Sequence, residues 1–320
     1  MLNTLIVYEE GKYGTAQKTA ETFGYLLGNT HVCDVEKAPS EITKYENMLL
    51  VFSLYGPQTA VKTKKYIQSI ESSSLGRLKI GLVGVGLSTI HFDKYLEDIT
   101  TLLGRTADYT CFILGELRIA KLSKEDLQLL EMFKKTTGTE VEDKGEFDIK
   151  QLIHRADEIR SVFKTCTAPM EKDKLRAEIE KFIIEHNTMA LATAHDGVPR
   201  CSPVEYQYLD GKFYIVTEGG QKFAGILQNG RASIGIYNNY TSMGSVYGMQ
   251  ITATVQIVPL FSQEYNKVFE KRGISQETIK KLPISLYVIS LTPRKYEVIN
   301  SDFKKLGYDP KQQYSDTAVI

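Results

Sequence analysis

The chain has few of the residues that build metal centres. Its 320 residues include only four cysteines, which are far apart in the sequence and form no C-x-x-C pair: Cys33, Cys111, Cys166 and Cys201. This spacing excludes iron–sulfur clusters and zinc ribbons, and the five histidines are equally scattered. The sequence therefore predicts free thiols and no metal site.

Net charge and long apolar runs are also absent. The 39 Lys and Arg residues balance 39 Asp and Glu residues, so no overall field favours nucleic acid or an anionic membrane surface. No run approaches the roughly 20 apolar residues of a membrane-spanning helix, and the first ten residues lack a basic segment typical of a signal peptide. We predict a cytoplasmic protein with neither nucleic acid nor membrane as partner.

Catalytic signatures that rest on side chains alone are missing as well. The sequence contains no nucleophile elbow, no paired-carboxylate signature and no glycine fingerprint with a downstream acid, and so it gives no signal for NAD(P)H. Any redox chemistry is therefore expected from a bound cofactor.

The first half has the rhythm of repeated strand–helix units. Apolar strand-like runs alternate with segments of helical spacing, which predicts a parallel sheet covered on both faces and ligands beyond the carboxyl ends of its strands. We assign residues 1–165 to this domain. The predicted pairs are 2–8 with 14–27, 48–53 with 61–70, 79–85 with 92–103 and 108–114 with 124–137, followed by a last helix at 147–165.

The loops of this half carry a family resemblance. The segments Leu5-Ile-Val-Tyr, Lys12-Tyr-Gly-Thr-Ala, Val51-Phe-Ser-Leu-Tyr-Gly, Val83-Gly-Val-Gly-Leu-Ser and Leu114-Gly-Glu-Leu are similar to the protoporphyrinogen-oxidase-like branch of the flavodoxin family, over about residues 1–138. The resemblance implies a flavodoxin-like doubly wound sheet of order 2-1-3-4-5 that can hold FMN. The cofactor-binding residues it implies are Lys12, Gly14 and Thr15 at the phosphate, Tyr55 stacked on the ring, and Gly84 and Gly86 at the ring edge.

The first loop departs from the flavodoxin pattern. It offers Glu9 and Glu10, and Ala16 stands where a phosphate-binding hydroxyl is expected. A carboxylate about 4 Å from a phosphate repels it by ~4 kcal/mol in a partly buried site. Two alternatives follow: the domain binds a second FMN, or it keeps the fold without the cofactor.

The second half, from residue 170 to 320, has the pattern of an antiparallel sheet. The turns at Asp196-Gly197 and Asp210-Gly211 separate predicted strands at 189–193, 198–209 and 212–217. The segment Glu218-Gly-Gly-Gln-Lys then opens a helix, which combines close backbone N–H groups, a helix N-terminus and the Lys222 ammonium into a phosphate site. Arg200 is the second candidate cation. Further predictions are helices at 171–186 and 262–271, the latter capped by Ser262, and strands at 231–237, 248–258, 284–291 and 294–299.

This half resembles a second flavoprotein family. Met189-Ala-Leu-Ala-Thr, Gly197-Val-Pro-Arg-Cys-Ser-Pro-Val, Gly211-Lys-Phe-Tyr-Ile-Val-Thr and Gly220-Gln-Lys-Phe are similar to the pyridoxamine phosphate oxidase-like split barrels, over about residues 172–314. The resemblance implies a mainly antiparallel β split barrel with flanking helices, which dimerises and holds FMN at the subunit interface. The residues it assigns to the flavin are Arg200, Ser202 and Val204 on one strand, Thr217, Gln221 and Lys222 around the phosphate, and Gln250 from the partner side.

Together these observations predict an FMN-dependent oxidoreductase that acts on a small-molecule substrate or a redox partner protein as a homodimer. One FMN per chain is expected in the barrel, and the first domain serves as an electron feed or a docking scaffold. No substrate-recognition set for pyridoxamine phosphate itself can be matched. The alternatives are a flavin-binding or electron-carrier module without its own substrate, and a barrel that binds haem or a deazaflavin.

Overall fold

The computed structural model describes residues 3–54, 59–89, 92–137, 142–163 and 168–315. The chain divides into two compact units, Met1–Thr165 and Cys166–Ile320, and each has its own sheet and its own hydrophobic core.

The first unit contains a five-stranded sheet in which every neighbouring pair of strands is parallel. Its strand order is β2-β1-β3-β4-β5, which confirms the predicted order. The strands are β1 (Thr4–Glu9), β2 (Thr30–Asp34), β3 (Asn47–Ser53), β4 (Lys79–Gly86) and β5 (Tyr109–Leu114).

Helices cover both faces of this sheet because its central strands are apolar on both sides. Ile6 and Leu49 belong to one core cluster, whereas their neighbours Leu5 and Met48 belong to the other. Phe23 of the first helix is fully buried in the cluster of Ile6. The helices are α1 (Thr15–Leu27), α2 (Val61–Ser69), α3 (Ser72–Leu75), α4 (Phe92–Leu103), α5 (Lys124–Thr137) and α6 (Ile149–Val162).

Strand β2 was not identified in the sequence as a separate segment. It lies at the edge of the sheet, and none of its five residues is fully buried. An edge strand of this kind lacks the continuous apolar run by which β1, β3 and β4 are recognised. The strand had to be inferred from the family resemblance alone.

A charged cluster joins the beginnings of β4 and β5. The Asp108 carboxylate accepts hydrogen bonds from the Lys79 ammonium at 2.8 Å and from the Ile80 N–H at 2.9 Å, and it also pairs with Arg105. Burial by itself would raise the pKa of Asp108, but these hydrogen bonds and the nearby positive charges hold that pKa below its ordinary value. The ionised carboxylate therefore stabilises this edge of the sheet.

Replacing Asp108 by asparagine is expected to lower the free energy of unfolding at pH 7 by about 1.5–3 kcal/mol, the range for hydrogen bonds to charged groups. Because the folded-state pKa is lowered, the contribution is complete above the unfolded-state pKa of about 3.9 and is lost as the pH falls from there through the folded-state pKa. Urea unfolding of both proteins from pH 7 to pH 3 should show the difference shrinking in acid. The exposed Glu97→Gln serves as the control, and a difference as large at pH 3 as at pH 7 would contradict the assignment.

The second unit is built on one antiparallel sheet of order β7-β6-β10-β11-β12-β9-β8, with β13 paired to β12. Together with the first unit, this sheet confirms the predicted fold class. The elements are α7 (Lys172–Ile184), β6 (Thr188–His195), β7 (Val198–Glu205), β8 (Gln207–Leu209), β9 (Lys212–Thr217), α8 (Lys222–Asn229), β10 (Arg231–Tyr237), β11 (Tyr247–Val258), α9 (Gln263–Glu270), α10 (Gln276–Lys280), β12 (Tyr287–Asn300) and β13 (Lys311–Tyr314).

The main core of this unit lies on one face of the sheet, where Leu191, Ile234 and Ile251 of three neighbouring strands pack together. A smaller cluster around Tyr265 of α9 covers the other face of β9. The Ser262 side chain accepts a hydrogen bond from the Tyr265 N–H at 3.2 Å, which confirms the predicted cap of α9.

Two strand boundaries were predicted wrongly. The predicted strands 284–291 and 294–299 are replaced by the single strand β12, which begins at Tyr287 and continues through Pro293 because of a bulge. Lys295 pairs with Thr252 and Pro293 with Ala253, which leaves Arg294 as the extra residue. Conversely, 198–209 is two strands. The chain turns at the buried Tyr206, after which β8 pairs with β9 rather than with β6.

Candidate functional site

The two glutamates of the first loop both lie at helix N-termini. Glu9 is only 8% exposed, and its carboxylate accepts hydrogen bonds from the N–H groups of Lys62 at 3.1 Å and Thr63 at 2.7 Å. These are the second and third residues of α2, so Glu9 satisfies donors that would otherwise be unpaired.

Replacing Glu9 by alanine is expected to lower the free energy of unfolding by about 1–3 kcal/mol, because two N–H groups at the start of α2, of which that of Thr63 is buried, lose a charged acceptor. Urea unfolding followed by circular dichroism measures this loss. Glu131→Ala, at an exposed position of α5, is the control. Equal stability of the two variants would show that Glu9 does not act as the cap.

Glu10 takes the position at the start of α1 that a phosphate would need. Its carboxylate accepts a hydrogen bond from the Gln17 N–H at 2.7 Å, and Gln17 is the third residue of that helix. The Lys12 ammonium lies 3.0 Å from the Asp126 carboxylate. The positive helix end and the loop cation therefore both contact carboxylates of the chain itself, and the residues of this loop do not fit the phosphate of FMN.

The two glycines expected at the flavin edge serve the packing of the chain itself. A Cβ atom at Gly84 would lie 2.4 Å from the Phe92 ring, and one at Gly86 would lie 2.9 Å from the Leu54 Cβ. Phe92 and Leu54 therefore occupy the space into which a side chain at Gly84 or Gly86 would point. Of the other residues implied for this site, Gly14 adopts the left-handed conformation before α1 and Thr15 begins that helix, while Tyr55 lies outside the described residues.

In the second unit, the loop between β9 and α8 presents backbone N–H groups beside a lysine. Gly219 and Gly220 have φ angles of 121° and 104°, a region that L residues rarely adopt. The Thr217 hydroxyl accepts a hydrogen bond from the Gly219 N–H at 3.3 Å, and Lys222 is the first residue of α8. The predicted arrangement of glycines, lysine and helix start is therefore present.

Two cations meet at this loop. The Lys222 ammonium donates to the Gly219 carbonyl at 2.5 Å, and the Arg200 guanidinium donates to the Gln221 side-chain oxygen at 2.9 Å. Burial, and next the positive charge of Arg200, lowers the pKa of Lys222. Within the described ranges neither cation forms an ion pair with a carboxylate, so an anion placed between them would relieve their repulsion.

A glycine that the sequence analysis did not single out fixes this geometry. A Cβ atom at Gly225, in the middle of α8, would lie 2.8 Å from the Ala194 backbone nitrogen and 2.8 Å from the Thr193 Cβ of β6. Thr193 is in turn the strand partner of Arg200. Gly225 therefore lets α8 approach β6 closely enough to bring its first residues to Arg200. The available signal was a glycine inside a predicted helix, where its usual cost indicates a packing reason.

The remaining residues assigned to the flavin lie on two different faces of the sheet. Ser202 is paired with the core residue Leu191, and Val204 packs against the core, so both share the face of Arg200. Gln250 is paired with Gly235 and is exposed on the opposite face. Since directly paired residues point to one face, one chain does not bring Gln250 to this loop.

An aromatic cavity adjoins the glycine loop. It has a volume of about 310 Å³ and is lined by Gly219, Gly220, Phe223, Ile257 and Tyr287. The rings of Phe223 and Tyr287 are 5.8 Å apart in an edge-to-face arrangement. The site thus combines an anion-binding loop with an apolar wall, the usual composition of a small-molecule site.

Among the described residues, no group of three or more His, Cys, Asp or Glu side chains could hold a metal ion. Both ring nitrogens of His186 are hydrogen-bonded, to the Phe182 carbonyl and to the Asn238 side chain, each at 2.8 Å. In the same residues, no helix has the length and apolar character required to cross a bilayer.

Comparison with known proteins agrees with the second resemblance. The family model described as pyridoxamine 5′-phosphate oxidase matches residues 175–298, so this segment of the chain is similar to that family. No curated protein matches the chain. Solved structures similar to it include the heme storage protein HutZ from Vibrio cholerae (18% identity, 38% of this chain and 90% of that one, TM-score 0.33), an FAD-binding protein from Mesorhizobium loti (17%, 38% and 89%, 0.32) and ChuZ from Campylobacter jejuni (16%, 60% and 87%, 0.38).

Proposed function

We propose that the domain at residues 175–298 binds FMN at the loop between β9 and α8, and that the protein is an FMN-dependent oxidoreductase. The observation that carries this proposal is the pair of cations Arg200 and Lys222 at the start of α8, with no carboxylate partner in the described residues. A phosphate dianion is the anion that a glycine-rich loop, a helix N-terminus and two cations bind best.

Each residue of the loop has a separate task. Lys222 and Arg200 supply positive charge to the phosphate, and the N–H groups around Gly220 donate hydrogen bonds to it. Phe223 and Tyr287 form an apolar wall that excludes water and can orient a small molecule. When bound, FMN supplies the one- or two-electron chemistry that these side chains lack.

We infer that two copies of the chain form the complete site. Gln250, which the family resemblance assigns to the flavin, faces away from Lys222 within one chain, so it can only reach the flavin of a partner. Strand β7 supports this inference, because it lies at the sheet edge and most of its residues are exposed. One chain has a mass of 36.1 kDa, and light scattering of the purified protein should give twice this mass. The mass of a single chain would contradict the inferred dimer.

The flavin content tests the proposal directly. After addition of excess FMN and desalting, the visible spectrum should show one flavin per chain, and a double Arg200→Ala, Lys222→Ala variant should retain little. Absence of flavin from the wild-type protein would overturn the proposal. The cavity beside the loop favours an enzyme over an electron carrier; a bound flavin that is reduced by an external reductase, yet oxidises no small molecule, would instead identify a carrier.

For the first unit, the geometry supports a docking or ligand-binding role over an electron feed. An electron feed through this unit needs a second flavin, and Glu10 occupies the start of α1 where its phosphate would bind. A flavin count of two per chain would contradict this assignment.

A further inference from the structure

The first unit contains a larger cavity than the one beside the FMN loop. It has a volume of about 450 Å³ and lies beyond the carboxyl ends of β1, β3, β4 and β5, where parallel sheets bind ligands. Its size is within the range of small-molecule sites. Much of its wall is aliphatic, formed in part by Leu54, Val85, Leu87, Leu117 and Leu129.

The charged groups in the cavity wall already have partners within the chain. Asp126 is buried, and its carboxylate accepts hydrogen bonds from Lys12 and from the hydroxyls of Tyr13 and Ser123. The Glu116 carboxylate lies 3.5 Å from the Arg118 guanidinium and 3.6 Å from the Lys121 ammonium. A ligand therefore meets no charge that requires an opposite charge from it.

An anionic ligand is disfavoured for two separate reasons. Three carboxylates, those of Glu10, Glu116 and Asp126, line the cavity with one ammonium, that of Lys12, which already pairs with Asp126, so the wall offers an anionic ligand no uncommitted cation. The N-terminus of α1, which would otherwise attract a phosphate, is occupied by Glu10 through the Gln17 N–H.

We propose that this cavity binds an uncharged, largely apolar small molecule without a phosphate group, and that Glu10 is the residue that excludes phosphorylated ligands. The site is separate from the FMN loop of the second unit and does not depend on it. The cavity thus lies where doubly wound sheets bind ligands, but the carboxylates in its wall favour a ligand without a phosphate group.

Nile red, which is uncharged and fluoresces in apolar surroundings, is a suitable probe for the full chain saturated with FMN. We expect saturable binding that Leu129→Asp weakens at least tenfold, because that side chain lines the cavity and is 56% exposed, so the variant should fold. Leu87→Asp, 42% exposed at the same wall, gives a second test. Leu306→Asp, 55% exposed in the second unit, is the matched control. Nile red binding that neither cavity variant weakens would overturn the proposal.

The role of Glu10 is tested by competition. FMN should fail to displace Nile red from the wild-type protein, whereas in Glu10→Ala the start of α1 is open and FMN should compete at least tenfold better. Equal competition in both proteins would refute phosphate exclusion by Glu10. These outcomes are distinguishable from failure of the FMN proposal, because Lys222→Ala should alter the flavin count and leave Nile red binding unchanged.

Discussion

Replacing Lys222 by alanine should weaken FMN binding by roughly 10- to 150-fold. Hydrogen bonds to charged groups contribute about 1.5–3 kcal/mol, and each 1.4 kcal/mol is a factor of ten in affinity. The effect is expected near the upper part of this range, since Lys222 is partly buried at the first position of α8 and its ammonium is held over the glycine loop by the Gly219 carbonyl.

The measurement is a fluorescence titration of FMN with the full chain, because flavin emission changes on binding. Lys271→Ala removes one positive charge from an exposed position of the same unit and controls for loss of net charge. Riboflavin, which lacks the phosphate, provides the second control: its affinity should be nearly equal for the wild-type protein and Lys222→Ala. If FMN affinity falls no more than riboflavin affinity, Lys222 does not contact the phosphate.

The pH dependence of FMN binding follows from the same lysine. Burial and the charge of Arg200 lower the pKa of Lys222, so its positive charge is lost as the pH rises through that lowered value. FMN binding should therefore weaken in alkaline solution earlier than an ordinary lysine would allow. Lys222→Ala should lack this part of the pH dependence.

The sequence predicted the elements whose residue patterns are local. The apolar runs of β3 and β4 and the Asp-Gly turn before β9 indicate their own structure, and the glycines before Lys222 mark the start of α8. Contacts between distant segments could not be predicted in the same way. Glu10 was expected to repel a phosphate, but only the structure shows its carboxylate at the Gln17 N–H.

The strand errors have a similar origin. A proline usually interrupts a strand because it has no N–H to donate to the neighbouring strand. Pro293 is tolerated within β12 because the bulge opposite Thr252 and Ala253 interrupts the regular hydrogen bonding there. Gln250 shows how far the site could be predicted from the sequence. Its place in a strand was predicted, but the face of the sheet on which it lies depends on the register of β11 with β10 and β12.

Gly225→Ala should destabilise the second unit and abolish the geometry of the anion loop. In an ordinary helix interior this change would stabilise the protein by up to ~1 kcal/mol, because alanine has the higher helix propensity. Here the new Cβ would meet backbone atoms of Ala194 at 2.8 and 2.9 Å. Overpacking of this kind costs about 1–3 kcal/mol, and since strand backbone cannot rotate away as a flexible side chain can, the steric term should exceed the propensity gain.

The sign of the change in stability shows whether the steric cost of the new Cβ atom or the gain in helix propensity is larger. Gly76→Ala is the matched control, because its Cβ would have no neighbour closer than 3.5 Å and its φ is negative; it should leave the stability unchanged or raise it. Gly225→Ala should lower the melting temperature and weaken FMN binding, because α8 carries Lys222 while β6 carries the strand partner of Arg200, so a displacement of the helix separates the two cations. Stabilisation by both substitutions would mean that α8 can move away from β6 without cost. In that case the close approach at Gly225 would not be what fixes the positions of Arg200 and Lys222.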